Sequence, residues 1–193
     1  MASYYEPMLL RPTDDLPEGE DWIFEPKLNG YRGIAYITAE RARLRSRQGN
    51  SLNDQFPDIV EQLPAALLGH SAVVDGEVVG YDQEGYHDLR TIRQRTTRKV
   101  YHIFDLLELD EEPIIRKPWH ERHRLLEAQV TEQGSIEVCP HFGPEARDDL
   151  LVAARGLALE GIVAKKTGSL YLPGRRSKDW LKFKYNKHRP AFT

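Results

Sequence analysis

Residues 71–81 restrict the fold more than any other stretch, because Val73, Val74, Val78 and Val79 surround Asp75-Gly76-Glu77. Valines at this density favour a strand, yet two carboxylates inside it are costly to bury unless a cation or a hydrogen-bond donor meets them. The acids must either pair with core arginines or face a ligand. Glu160, which opens the β-branched segment 160–165, imposes the same choice. A carboxylate facing a nucleotide has two natural uses, accepting a ribose hydroxyl or holding Mg²⁺ beside phosphates. Both uses suit Glu77 and Glu160.

The rest of the chain supplies more strands. Trp22 and Phe24 alternate in 21–25, residues 31–38 are rich in aromatic and β-branched types, and 27–30 is the turn region between these strands. Arg41, Arg43, Arg45 and Arg47 fall on odd positions and hence on one face of a strand. In 180–185 strict alternation sends Lys182 and Lys184 to one face and Leu181, Phe183 and Tyr185 to the other. Residues 100–107 and 160–165 are further strands. Helical spacing marks 54–68, shortened or divided by Pro57 and Pro64, and a short polar helix is expected over 87–98. Pro118 would occupy the first turn of a helix reaching about Glu132, and Pro144 would begin another that ends at Gly156. Residues 1–20, with three prolines and several acids, read as an extended lead-in docked by Met8, Leu9 and Leu10. Antiparallel-looking strands with helices between them indicate an α+β fold rather than a regular βαβ alternation.

Composition matters here mainly for what it excludes. A chain of 193 residues, 40% hydrophobic and 30% charged, can build a core as one domain. No apolar run approaches a membrane span, which leads to a cytoplasmic expectation. The lone cysteine, Cys139, allows neither an internal disulfide nor a zinc framework by itself and is expected to pack in a strand. The net charge of −3 conceals an uneven distribution: residues 165–193 carry nine lysines and arginines against Asp179, while acids gather at 14–21 and 108–112. Such a basic end suits a polyanion, although a solvated charged face has the same composition.

Lys27, followed by Gly30 and Arg32, is the candidate nucleophile. A neutral lysine amine attacks well, and crowding by other cations favours that neutral form. If the Lys182/Lys184 face meets Lys27, the three would form a phosphate site; the alternative is an outer sheet face of solvated lysines. Phe104 would either stack on a base or serve as core. His102, His120, His123 and His141 show no trusted metal spacing and are expected to be surface or hydrogen-bonding residues. No Rossmann or P-loop glycine pattern is present.

Together these segments resemble the adenylation (nucleotidyltransferase) domain of ATP-dependent DNA ligases, of the bacterial ligase D type used in end joining. Lys27-Leu28-Asn29-Gly30-Tyr31-Arg32 is similar to the family's K-x-D-G-x-R motif and Ser46-Arg47-Gln48-Gly49 to its S-R-x-G element. Asp75-Gly76-Glu77, Phe104-Asp105-Leu106-Leu107, Glu160-Gly161-Ile162-Val163-Ala164-Lys165 and Trp180-Leu181-Lys182-Phe183-Lys184 match the later motifs in order. The resemblance implies an ATP-grasp-like nucleotidyltransferase domain spanning 1–193, with two mainly antiparallel β-sheets flanked by helices and the nucleotide between them. It implies that Lys27 attacks the ATP α-phosphate to give lysyl-AMP, that AMP passes to the 5′-phosphate of nicked double-stranded DNA, and that the 3′-hydroxyl displaces it. By position, Arg32 and Glu77 hold the ribose, Phe104 stacks on adenine, and Lys182 and Lys184 hold the α-phosphate. Glu25 joins the nucleotide-binding set, Glu160 binds Mg²⁺ or Mn²⁺, and Arg47 meets the phosphate at the nick.

Two departures qualify the resemblance. Asn29 stands where the family has aspartate, which leaves an amide beside the nucleophile and is expected to spare charging but slow sealing. The family usually continues into an OB-fold domain, and none is expected within these residues, so weak self-adenylation and poor sealing follow unless that domain or end-joining proteins assist. A monomer is expected. The rival readings are an RNA ligase or mRNA-capping nucleotidyltransferase and a non-catalytic nicked-DNA-binding module.

Overall fold

The computed structural model describes residues 4–83, 85, 91–94, 97–157 and 159–185. Within them two sheets lie between outer helices. The first sheet is built from β1 (Leu9–Thr13), β2 (Trp22–Pro26), β9 (Gly161–Lys166) and β10 (Arg176–Lys184), in the order β1-β10-β9-β2. The second holds β3 (Tyr31–Ile37), β4 (Ala42–Ser46), β5 (Ala72–Tyr81), β6 (Arg98–Leu109) and β7 (Glu112–Pro113), in the order β4-β3-β5-β6-β7, with β8 (Ile136–Val138) added beside β6. Pairing is antiparallel except for β1 with β10 and β8 with β6, so the expectation of mainly antiparallel sheets holds.

Strand periodicity sorts side chains into three cores. On β3 and β5, Ala35, Ile37, Ala72, Val74 and Val78 face α1 (Pro57–Ala66), meeting Ile59 and Leu63. The other face of β3 and β5 carries Ile34 and Val73 against Ile23, Tyr171 and Trp180 of the first-sheet side. Beyond that sheet, Phe24, Ile162 and Ala164 pack on Leu150 and Ala154 of α3 (Arg147–Gly156). The layers therefore run α1, second sheet, first sheet, α3. The remaining helix, α2 (Trp119–Gln129), packs on β6.

Several sequence expectations change in detail. Residues 9–13 are a strand rather than a lead-in; Pro12 is compatible with it because β1 is an edge, where a missing N–H breaks no inner ladder. Pro64 does not divide α1, since it lies in the last turn, two residues before the helix ends at Ala66. Pro118 caps α2 from outside, and Pro144 opens a 3₁₀ turn, Pro144–Ala146, ahead of α3. Half of the polar helix expected over 87–98 falls outside the described residues; in the described half Thr91–Arg93 form a 3₁₀ turn and Arg98 starts β6, so no α-helix forms there. Cys139 is buried one residue past β8.

Buried tyrosines tie these layers together. Tyr101 donates to Gly33 O at 2.8 Å and Tyr5 to Glu108 at 3.0 Å. Gly76 makes room for the first, because a Cβ there would lie 2.6 Å from the Tyr101 ring. Burial pushes the Tyr5 and Tyr81 phenols up to about 12, and those of Tyr101 and Tyr171 well above the ordinary tyrosine range. These phenols keep their protons when the unfolded chain has lost them. Their contribution to stability is thus fully present below about pH 10 and is lost as pH rises above it. Ultraviolet titration should show these four tyrosines ionising only with loss of the folded circular dichroism signal; early, independent ionisation of all nine tyrosines would contradict this packing.

Candidate active site

Lys27 lies where the chain crosses between sheets: β2 pairs with β9, whereas β3 pairs with β4 and β5, so 27–30 joins two sheets rather than closing a hairpin. The crossover is tight. A Cβ on Gly30 would lie 2.0 Å from Val78 O, so only glycine lets the backbone pass. Gly30 N–H donates to Glu77 at 2.8 Å, and Lys27 N–H donates to Gly161 O at 3.0 Å, which fastens the crossover to both sheets.

Arg32, Ile34 and Tyr36 on β3 oppose Glu77, Asp75 and Val73 on β5, and this shared face looks toward the first sheet. Asp75, fully buried, accepts from Arg32 through Nε (3.0 Å) and Nη2 (2.6 Å), and from Tyr171 at 2.6 Å. The core-arginine alternative therefore describes Asp75. Burial alone would lower the Arg32 guanidinium, but the Asp75 charge more than offsets it and Arg32 stays cationic. Its Cζ also lies 5.1 Å from the Phe104 ring centre.

A cleft opens between the sheets. Glu25, Lys27, Arg32, Glu77, Phe104 and Lys165 line it, with Leu28, Val163 and Trp180 supplying apolar wall. Burial pushes the Glu25 and Glu77 carboxyls up; Lys165 opposes this at Glu25, through a 2.7 Å hydrogen bond, as does Gly30 N–H at Glu77. Lys165 was overlooked as a site residue. It is fully buried, with Nζ 4.8 Å from the Phe104 ring centre and 4.4 Å from that of Trp180. A lysine within the β-branched run 160–165 was the available signal, since a buried ammonium needs an acid that sequence spacing does not reveal.

At the mouth Glu160 bridges two cations. Lys27 Nζ donates to its Oε2 at 2.5 Å, and Lys184 donates to Oε1. Partial burial raises the Glu160 carboxyl, but the hydrogen bonds from Lys184 and Lys27 outweigh it and hold it below the usual range. Lys182 shares the lysine face, and partial burial together with the charges of Lys184 and Lys27 lowers its pKa. The Lys182/Lys184 face therefore meets Lys27, as one of the two sequence readings expected, with Glu160 between the charges. A carboxylate beside cations that could receive phosphates fits a divalent ion coordinated partly by substrate. Arg47 is exposed just beyond β4 and does not line the cleft, and Asn29 is half-buried beside Lys27. Among the histidines, His102 is buried and hydrogen-bonded to Tyr81, but His123 is buried with neither ring nitrogen hydrogen-bonded, which corrects its reading as a surface or hydrogen-bonding residue.

Two sheets with a lysine at their crossover and acids, bases and an aromatic between them define a domain of the nucleotidyltransferase class. A family model for the ATP dependent DNA ligase domain matches residues 7–184, and the chain belongs to that family. Over 171 residues it is 36% identical to the multifunctional non-homologous end joining protein LigD of Mycolicibacterium smegmatis, covering 86% of this chain and 22% of that protein. The ligase domain of Mycobacterium tuberculosis LigD superimposes with a TM-score of 0.80 at 31% identity, covering 93% of this chain and 60% of that one. A mycobacterial DNA ligase D solved with ATP and MES gives 0.77 at 30% identity, over 94% of this chain and 60% of that one. The chain thus spans about a fifth of the curated relative and about three fifths of each solved ligase chain.

Removing the Asp75 carboxylate would strand Arg32 and Tyr171. Urea unfolding of Asp75→Ala should show a loss of about 3–5 kcal/mol, the range for one partner removed from a buried ion pair. An effect below about 1 kcal/mol would mean that the Arg32–Asp75–Tyr171 cluster contributes little to the fold.

Proposed function

We propose that this chain is the adenylation domain of an ATP-dependent DNA ligase and that Lys27 is its nucleophile. The observation that carries the proposal is the Lys27–Glu160–Lys184 bridge at the mouth of the cleft between the sheets. ATP would enter between the sheets with its base against Phe104 and its ribose near Arg32 and Glu77. Glu25 would take part in binding the base, and Lys182 and Lys184 would take the charge of the α-phosphate.

The Lys27–Glu160 ion pair favours the protonated amine, whose lone pair is not available. Charging therefore requires that pair to open and Lys27 to give up its proton. The Lys27 Nζ–Pα bond then forms as the bond from Pα to the pyrophosphate oxygen breaks, and pyrophosphate leaves with the electron pair. Mg²⁺ or Mn²⁺, when bound, would offset phosphate charge, with Glu160 as its protein ligand. Lys184, released from Glu160, is then free for the phosphate. Transfer of AMP to the 5′-phosphate of nicked DNA would follow, with Arg47 on that phosphate and the 3′-hydroxyl completing the seal. We further infer a monomer that works in the bacterial cytoplasm, and efficient sealing that depends on an OB-fold domain or end-joining proteins.

Incubation with labelled ATP or GTP and Mg²⁺, followed by denaturing electrophoresis, tests the reading. ATP should label the wild type, and Lys27→Ala should abolish the label. Labelling by GTP instead would favour the capping reaction, while salt-sensitive binding to nicked DNA without any label would favour a binding module. Restoring the carboxylate with Asn29→Asp should leave charging largely unchanged and speed single-turnover sealing; no change in either step would show that the amide is equivalent here.

A further inference from the structure

The cluster least explained by the adenylation reading lies outside the cleft, where α2 meets the segment after β8. His123 and Glu127 occupy successive turns of α2, and His141 comes from the segment that leads to α3. One ligand-type atom from each side chain lies within 4.8 Å of the other two, the one such group of three among the described residues. None of the three lines the nucleotide cleft.

Packing alone leaves His123 unexplained. It is 3% exposed, it stacks on Trp119 with ring centres 4.5 Å apart, and it meets His141 edge-on at 4.3 Å. Neither of its ring nitrogens makes a hydrogen bond, although buried polar atoms are nearly always satisfied. Its Nε2 lies 3.3 Å from Glu127 Oε1, near enough for both to serve one ion. The adjacent cations do not oppose an incoming one with free charge, because Lys165 is paired with Glu25 and Arg122 with Asp105. Glu127 is exposed and leaves a path from solvent.

We propose that His123, Glu127 and His141 bind a zinc ion. Two imidazoles and one carboxylate are a zinc donor set, with water in the fourth position. Metal–ligand bonds of about 2.0–2.1 Å place tetrahedral ligands about 3.4 Å apart, so small side-chain rotations would close the site. The neighbouring Phe142 exchanges two backbone hydrogen bonds of 2.9 Å with Phe24 on β2. Zinc would therefore clip α2 to the strand that carries Glu25 and leads to Lys27. The role is structural and holds whether or not Lys27 accepts AMP.

The test is titration of the chelator-stripped full chain with ZnCl₂ by calorimetry, and with CoCl₂ by visible absorption. One equivalent should bind the wild type, with cobalt bands characteristic of a four-coordinate nitrogen and oxygen site, and zinc should raise its melting temperature. The Glu127→Gln/His141→Gln variant keeps buried His123 in place, and its folding is checked by circular dichroism. Its zinc affinity should fall at least about 100-fold, since loss of outer-shell partners alone costs about 10–100-fold. Glu160→Gln should bind zinc as the wild type does. Absence of one-equivalent binding in the wild type, or equal binding by the folded double variant, would overturn the proposal and leave an aromatic–imidazole packing cluster.

Discussion

The buried Asp75 carboxylate is the contact on which the arrangement of the sheets depends. It lies on the central strand of the second sheet, yet its partners come from β3 and, through Tyr171, from the segment between β9 and β10. A carboxylate so deeply buried is tolerated only when all its partners arrive together; the Arg32 pair is made within the second sheet, and the Tyr171 hydrogen bond is what ties Asp75 to the first-sheet side. Within the same sheet Arg32 lies beside Phe104, and Glu77 accepts from Gly30 N–H. Arg122 with Asp105 repeats the device nearby, with both Asp105 oxygens engaged and the Lys117 and Ser169 carbonyls taking a further guanidinium nitrogen.

The cleft reaches near charge balance by internal pairing. Lys165 answers Glu25 in the interior, and Glu160 answers Lys27 and Lys184 at the mouth. Their exposure separates their behaviour. The inner pair is almost fully buried and costly to open, whereas the Glu160 and Lys184 side chains are 27% and 49% exposed. The outer pairs are therefore the ones an incoming phosphate can exchange, because water offsets part of the loss. On the proposed reading, the inner pair would hold the wall of the cleft while the outer pairs change partners.

Local periodicity made much of this legible. The odd-numbered arginines of β4 oppose buried Ala42 and Leu44, and Lys182 and Lys184 share the face that reaches Glu160. What could not be read depends on residues far apart in the chain. β1 was missed because Pro12 disguises an edge strand whose partner, β10, lies more than 160 residues away. Asp75 and Glu77 have the same sequence signature, but only Asp75 takes both hydrogen bonds from Arg32; the strand pattern narrows the choice without deciding it. Lys165 and the His123–His141 contact were hidden for the same reason, since each depends on a side chain delivered by a different element.

On the proposed reading, this cleft would charge one lysine out of several. Lys27, Lys165, Lys182 and Lys184 all lie in or beside it, and their partners differ. Peptide mapping by tandem mass spectrometry after incubation with ATP and Mg²⁺ tests that claim most directly. The account predicts one AMP per chain, on Lys27. AMP on Lys165, Lys182 or Lys184, or a chain that remains unmodified once pyrophosphate is removed, would contradict it.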